Sequence, residues 1–150
     1  MKQPENQLLI PFDTLMITTK GDQEGKRMAD KHYSRQSHGN VQFCRPGKNL
    51  VLRSPSGDVL WVSWYGIRDD GIGDVYECTI FRNESDRLSS EIITEAVRKT
   101  CEEWGKKPFV TYVDAKKVKS PNPGFCFKKA NWKKIGMSKS GKILLKLENN

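Results

Sequence analysis

The sequence predicts a single α+β (mixed α/β) domain, residues 1–150, built on one central, mixed, mostly antiparallel sheet of six or seven strands flanked by about three helices. Three observations lead there. The chain has 150 residues, which makes one domain able to bury a core without staples. Runs of β-branched and aromatic residues of strand length recur along it, and one long segment carries a helical apolar stripe. The predicted order is strand, helix, three or four strands, helix, strand, short helix, two strands. A meander followed by strand-helix-strand gives a mixed sheet with helices packed on it.

The elements follow in chain order. Residues 12–19, FDTLMITT, are β-branched and partly alternating, hence a first strand ended by Gly21. Residues 22–33, DQEGKRMADKHY, read as a helix capped by Asp22 and weakened by Gly25. SRQSHGN is a polar loop. VQFCRPG and NLVLRSP are predicted as paired strands about a turn at Pro46-Gly47. In residues 58–66, DVLWVSWYG, Leu60, Val62 and Trp64 point one way, and Val59, Trp61, Ser63 and Tyr65 the other. Both faces carry large groups, so this strand is central. RDDGIGD is a loop, and residues 75–83, VYECTIFRN, form the next strand.

The best helix runs from Ser89 to Trp104, where Ile93, Ala96, Val97, Thr100, Cys101 and Trp104 recur as one stripe. Ser89 or Ser90 is the expected cap, and Gly105 the stop. Residues 108–114, PFVTYVD, are a strand, and KILLKL closes the fold as the last one. Between them lies NPGFCFKKANWKKIG, residues 122–136. Pro123 suits a first helical turn. Phe125 and Phe127 pack that short helix on the sheet. Asn131 takes the left-handed conformation that ends helices, and Trp132 starts a strand.

No apolar run approaches the roughly 18 residues of a membrane span. The N-terminus lacks the charge and cleavage pattern of a secretory signal, so a cytoplasmic location is the expectation. The four cysteines form no C-x-x-C pair, and His32 and His38 stand at no zinc-finger spacing from them. Reduced, partly buried thiols are expected, and no metal site.

The net charge of +8 is unevenly placed. Residues 115–147 hold ten lysines and no Asp or Glu, while the rest holds 16 basic and 18 acidic side chains. A one-sign surface attracts polyanions such as DNA. Lys116, Lys117, Lys119 and Lys128 head that stretch. Cofactor phosphates and plain solvation are the other uses open to it.

The element order, with NPGFCFKKANWKKIG at its end, resembles the GCN5-related N-acetyltransferase (GNAT) fold. In that family a strand feeds a Gly-rich loop whose amides and following helix hold the pyrophosphate of acetyl-CoA. The resemblance puts Phe81, Arg82, Arg87, Leu88, Ser89 and Ser90 at that loop. Arg87 matches a basic position, and serines replace the glycines. A later family signature is an Asn, a short helix ending in an aromatic, then Gly-Phe. Asn122, Phe125 and Phe127 match its cofactor-binding part, with Asn131-Trp132 in place of Gly-Phe. Phe127 stands where many members place a proton-donating Tyr. The run HYSR, residues 32–35, and the tail are also similar to small phage-encoded Mom-type proteins, which modify adenine in DNA.

The resemblance implies an acetyl-CoA (or related acyl-CoA) dependent acyltransferase, phage-encoded, acting on a nucleobase. His32, Tyr33, Ser34 and Asp114 are its candidate catalytic residues. His32 can move a proton near neutral pH, Tyr33 can supply the proton Phe127 cannot, and Arg35 can grip phosphate. Asp114, at a strand end, fits a base or the cap of the following turn. Trp61, Trp64 and Tyr65 fit core or a base-stacking platform. Two alternatives stay open: an N-acetyltransferase for a small amine or protein, and a non-catalytic nucleic-acid-binding member of the fold.

Overall fold

The computed structural model describes residues 14–30, 44–117 and 122–149. Within them lie seven strands and three helices: β1 (Met16–Thr18), α1 (Gln23–Ala29), β2 (Lys48–Arg53), β3 (Val59–Tyr65), β4 (Tyr76–Asn83), α2 (Ser89–Trp104), β5 (Phe109–Val113), α3 (Phe125–Lys129), β6 (Lys133–Met137) and β7 (Ile143–Leu147). The strands form one sheet in the order β1-β2-β3-β4-β5-β7-β6. All neighbours run antiparallel except β4 and β5, which run parallel. Parallel neighbours need a crossover rather than a hairpin, and α2 supplies it.

The alternation in β3 sets the two layers. Val59 and Trp61 join Leu52, Tyr76, Phe109 and Leu145 in a core shared with Ile92, Ile93 and Ala96 of α2 and Phe127 of α3. Leu60 and Val62 face the other way, onto Met28 and Ala29 of α1. A smaller cluster of Val75, Val110 and Leu144, with Ile72 and Tyr112 against it, lies over β5 and β7. There the β3–β4 loop contributes to the cover. Burying each such large side chain stabilises the fold by about 1.5–3 kcal/mol.

Local signals hold where they were strongest. Asp22 caps α1, its carboxylate accepting from Gly25 N–H at 2.7 Å. Gly105 ends α2 at φ 95°. All four cysteines are free, and burial pushes the Cys78 and Cys126 thiols up, as inert core thiols should be.

Other expectations change. Residues 41–43 and 31–33 lie outside the described residues. Cys44 to Gly47 form no strand, and β2 starts only at Lys48. The N-cap of α2 is Leu88, without a side-chain cap bond, because Ser89 and Ser90 are already helical. Ile92 and Glu95 are buried on α2, whereas Cys101 is only half-buried. Pro123 precedes α3 in a turn, and Phe125 is 52% exposed rather than packed on the sheet.

The end of α3 explains the sequence NPGFCFKKANW. Asn131 sits at φ 76°. Trp132 N–H donates to Phe127 C=O and Asn131 N–H to Lys128 C=O, both at 3.0 Å. This is the Schellman pattern, completed by its apolar contact: the Phe127 and Trp132 rings meet edge-on at 4.9 Å. Trp132 thus locks the helix end before β6 begins at Lys133. Gly124 opens the helix at φ 80°, where an added Cβ would lie 2.7 Å from Leu145 Cδ1. Gly124→Ala should therefore cost about 2 kcal/mol, whereas Asn131→Gly should stay within about 0.5 kcal/mol. Urea midpoints of the two variants check both values.

Candidate functional site

The parallel pair opens early. Its ladder holds only Tyr76↔Phe109 and Glu77↔Val110, although β4 continues to Asn83 and β5 to Val113. Beyond it the Thr111 hydroxyl donates to Cys78 C=O at 2.9 Å. On its other side β4 carries an extra residue, Thr79, where its register with β3 shifts. Such a bulge bends the strand. Ligands in sheets of this kind bind outside the carboxyl ends of parallel strands.

The loop from β4 to α2 leads away from that opening. Asn83 organises it. Its amide donates to Arg87 C=O and Ser89 Oγ, both at 2.9 Å, and its Oδ1 accepts from Ser85 N–H at 2.9 Å. Ser85 Oγ in turn accepts from Arg87 N–H at 3.2 Å. The N–H groups of Ser89 and Ser90 open α2 ahead of its first internal bonds, the end of a helix that attracts anions. Leu88 beside them is 64% exposed. Arg87 turns to a different task. Its guanidinium donates to Thr14 Oγ1 and pairs with Glu95 at 3.3 Å. Glu95 is buried and also accepts from the N–H groups of Thr14 and Leu15, at 2.9 and 2.8 Å. Arg82 pairs with Glu84 at 3.0 Å.

The remaining expected residues fall into separate groups. Phe81 meets Trp61 and Phe127 edge-on, at 5.5 and 5.9 Å. Phe127 is buried, so it shapes the floor beneath α2 and α3. Lys128 Nζ donates to Asn122 Oδ1 at 3.0 Å. Asp114 Oδ1 accepts from Lys116 N–H at 3.1 Å and its C=O from Lys117 N–H at 3.0 Å. Both bonds close the turn after β5. Lys116 and Lys117 are exposed. His32, Tyr33, Ser34, Arg35 and Lys119 lie outside the described residues. The lysines of β6 have a structural use as well, since charged side chains on an edge strand discourage pairing with other chains.

A polar network that the sequence did not suggest lies on the face of α1. Glu77, on β4, accepts from Arg45 and Arg68, each at 2.9 Å to one oxygen. The side chains of Arg68 and Glu77 are both 8% exposed. Arg68 also pairs with Asp70, which accepts from Tyr112 Oη at 2.9 Å. The hydrogen bond from Arg68 is the main reason the Asp70 carboxyl is held down at about 2. Burial, then Asp70, pushes the Tyr112 phenol up. The signal available was Glu77 itself, a charged residue within an apolar strand.

A shallow groove of about 430 Å³ runs along α2, lined by Thr94, Val97, Arg98, Cys101, Glu102, Lys106 and Asn149. It lies toward the far end of that helix from the Asn83 loop. Among the described residues no cluster of His, Cys, Asp or Glu is placed to hold a metal, and no helix is long and apolar enough to cross a membrane. No protein-family model matches the chain, and no curated protein matches it either.

The network generates a pH prediction. A carboxyl depressed in the folded state stabilises above its unfolded value near 4, and that contribution fades as pH falls toward 2. Asp70→Asn should lower stability at pH 7 by on the order of 1–2 kcal/mol. The gap between wild type and variant in urea unfolding should close progressively from pH 4 to pH 2.

Proposed function

We propose that this protein is a GNAT-like, acyl-CoA-dependent acyltransferase that modifies a nucleobase in DNA. The observation that carries the reading is the parallel β4–β5 pair, whose ladder ends after two residue pairs beside a strand-loop-helix connection. The order β1-β2-β3-β4-β5-β7-β6 supports the same reading. In it, the Asn83-tied loop and the Ser89 and Ser90 amides receive the cofactor's pyrophosphate, because helix starts offer unpaired donors to anions. Arg87 holds that loop against Glu95 and Thr14 instead of meeting phosphate. Half-exposed Phe125 is available to the cofactor, and partly buried Phe81 and buried Phe127 shape the cleft from below. His32, Tyr33 and Ser34 supply proton transfer, and the lysines of the last quarter draw in the polyanion.

A second reading is favoured by Arg87's commitment to Glu95 and by Phe127's burial: a non-catalytic member of the fold that binds nucleic acid. Calorimetric titration with acetyl-CoA and then CoA separates the two. Micromolar affinity, about −8 kcal/mol, is expected, weakened at least tenfold by Asn83→Ala while Arg82→Ala changes it little. No heat at millimolar ligand would remove the acyl-transfer reading. With binding established, His32→Ala should abolish transfer of labelled acyl group to DNA and leave the CoA affinity unchanged.

A further inference from the structure

The chain builds an unusually exact seat for one tryptophan. Trp64 is 5% exposed on the α1 face of β3. Its Nε1–H donates to Pro46 C=O at 2.8 Å. Gly47 and Gly66 lie so close to the indole that a Cβ at either would come within 2.5 and 2.6 Å of it. Gly47 also holds φ 130°, so any other residue there is strained twice. Four features thus fix one ring: a carbonyl, two glycines and the strand.

On that ring lies Arg45, its guanidinium carbon 3.7 Å from the ring centroid. That distance is a stacking contact. Arg68 flanks the same ring at 5.7 Å. Glu77 fixes one edge of the Arg45 guanidinium at 2.9 Å, and 44% of the Arg45 side chain remains exposed. Trp64 lies beneath the guanidinium and Glu77 at one edge, so the plane facing away from the indole is the one offered to a ligand. Among the described residues the ion pairs here set two carboxylates, Glu77 and Asp70, against two guanidiniums, Arg45 and Arg68. Guanidiniums already paired with carboxylates do not favour a phosphate, whereas a planar, partly exposed cation stacked on an indole suits an unpaired base, which stacks on guanidinium planes.

We propose that the outer face of Arg45, backed by Trp64, is a stacking platform for a nucleobase of a single-stranded or flipped-out nucleic-acid segment. The proposal deepens the nucleobase-acceptor reading and rests on its choice of nucleic acid. Arg45 is here a binding residue; Trp64, Glu77, Gly47 and Gly66 are positioning residues.

The test uses the full-length chain, without coenzyme A. Two labelled single-stranded oligonucleotides of equal length are compared by fluorescence anisotropy, one with bases and one with abasic spacers and the same phosphates. Wild type should prefer the base-bearing strand by roughly tenfold or more. Arg45→Ala should lose that preference while binding the abasic strand as wild type does. Arg45→Lys, which keeps the charge and loses the plane, should lose it equally and guards against a misfolded Ala variant. Rescue by lysine, equal weakening of both strands, or no preference in wild type would each overturn the platform. If wild type binds neither strand, both the platform and the DNA acceptor fall, while acetyl-CoA titration of the same preparation reports separately on acyl transfer.

Discussion

Setting β5 parallel to β4 obliges the chain to travel the length of the sheet before it can pair again, and most of the structure follows from that obligation. The sixteen residues of α2 make the journey. Their apolar side must then lie over the sheet, which places Ile92, Ile93 and Ala96 against Trp61 and Tyr76. The two ends of the crossover are treated differently. At the closed end Tyr76 Oη donates to Trp104 C=O and Gly105 C=O, at 2.9 and 2.8 Å, and Tyr76 N–H to Pro108 C=O. At the open end no ladder joins the strands, and the loop is tied by side chains instead. One element therefore supplies both a sealed core and an open edge.

The open end also needs an anchor, and a buried carboxylate provides it. Glu95 stands nearly two turns inside α2 and gathers two backbone N–H groups, one hydroxyl and the Arg87 guanidinium. A buried charge is tolerated only when so surrounded. The knot joins the start of the crossover helix to the chain leading into edge strand β1. It also explains why a basic residue stands at position 87 without invoking a ligand, so the cofactor reading rests on the loop backbone rather than on that arginine.

What the sequence disclosed was whatever depends on near neighbours. The facing of Leu60 and Val62 against Val59 and Trp61, the limits of α2, the Asp22 cap and the left-handed Asn131 are all set within a few residues. The misses involve distance. In sequence Arg87 matches a phosphate position, because its partner Glu95 is a buried acid on an apolar face, where a stripe of apolar residues leads one to expect none. Ile92 lies outside the single stripe because the buried surface of α2 is wider than one stripe. Phe125 and Phe127 look equivalent in sequence, yet a two-residue offset on a helix puts one outward and one inward. The expected first strand is absent from Cys44 to Gly47, where the Pro46 carbonyl instead accepts from Trp64, 18 residues away. Glu77 is visible as a charge within an apolar strand, but its partners are not, because its arginines come from two different loops.

These long-range dependences bear on how the molecule would meet nucleic acid. The lysines between residues 115 and 147 act through field, which falls off within a Debye length and carries no information about bases. Such a surface brings a polyanion close without choosing where it sits. The Trp64 seat is of the opposite kind. Among the described residues its guanidiniums are paired with carboxylates, and its ring is fixed by two close glycines and the Pro46 carbonyl. Under the proposed reading, attraction and placement fall to different parts of the chain: the former to its basic last quarter, the latter to the network on the α1 face of β3 and β4. A change in salt should act on the first and leave the geometry of the second intact, because Arg45 is fixed by stacking and by a single short bond to Glu77 rather than by the surrounding field.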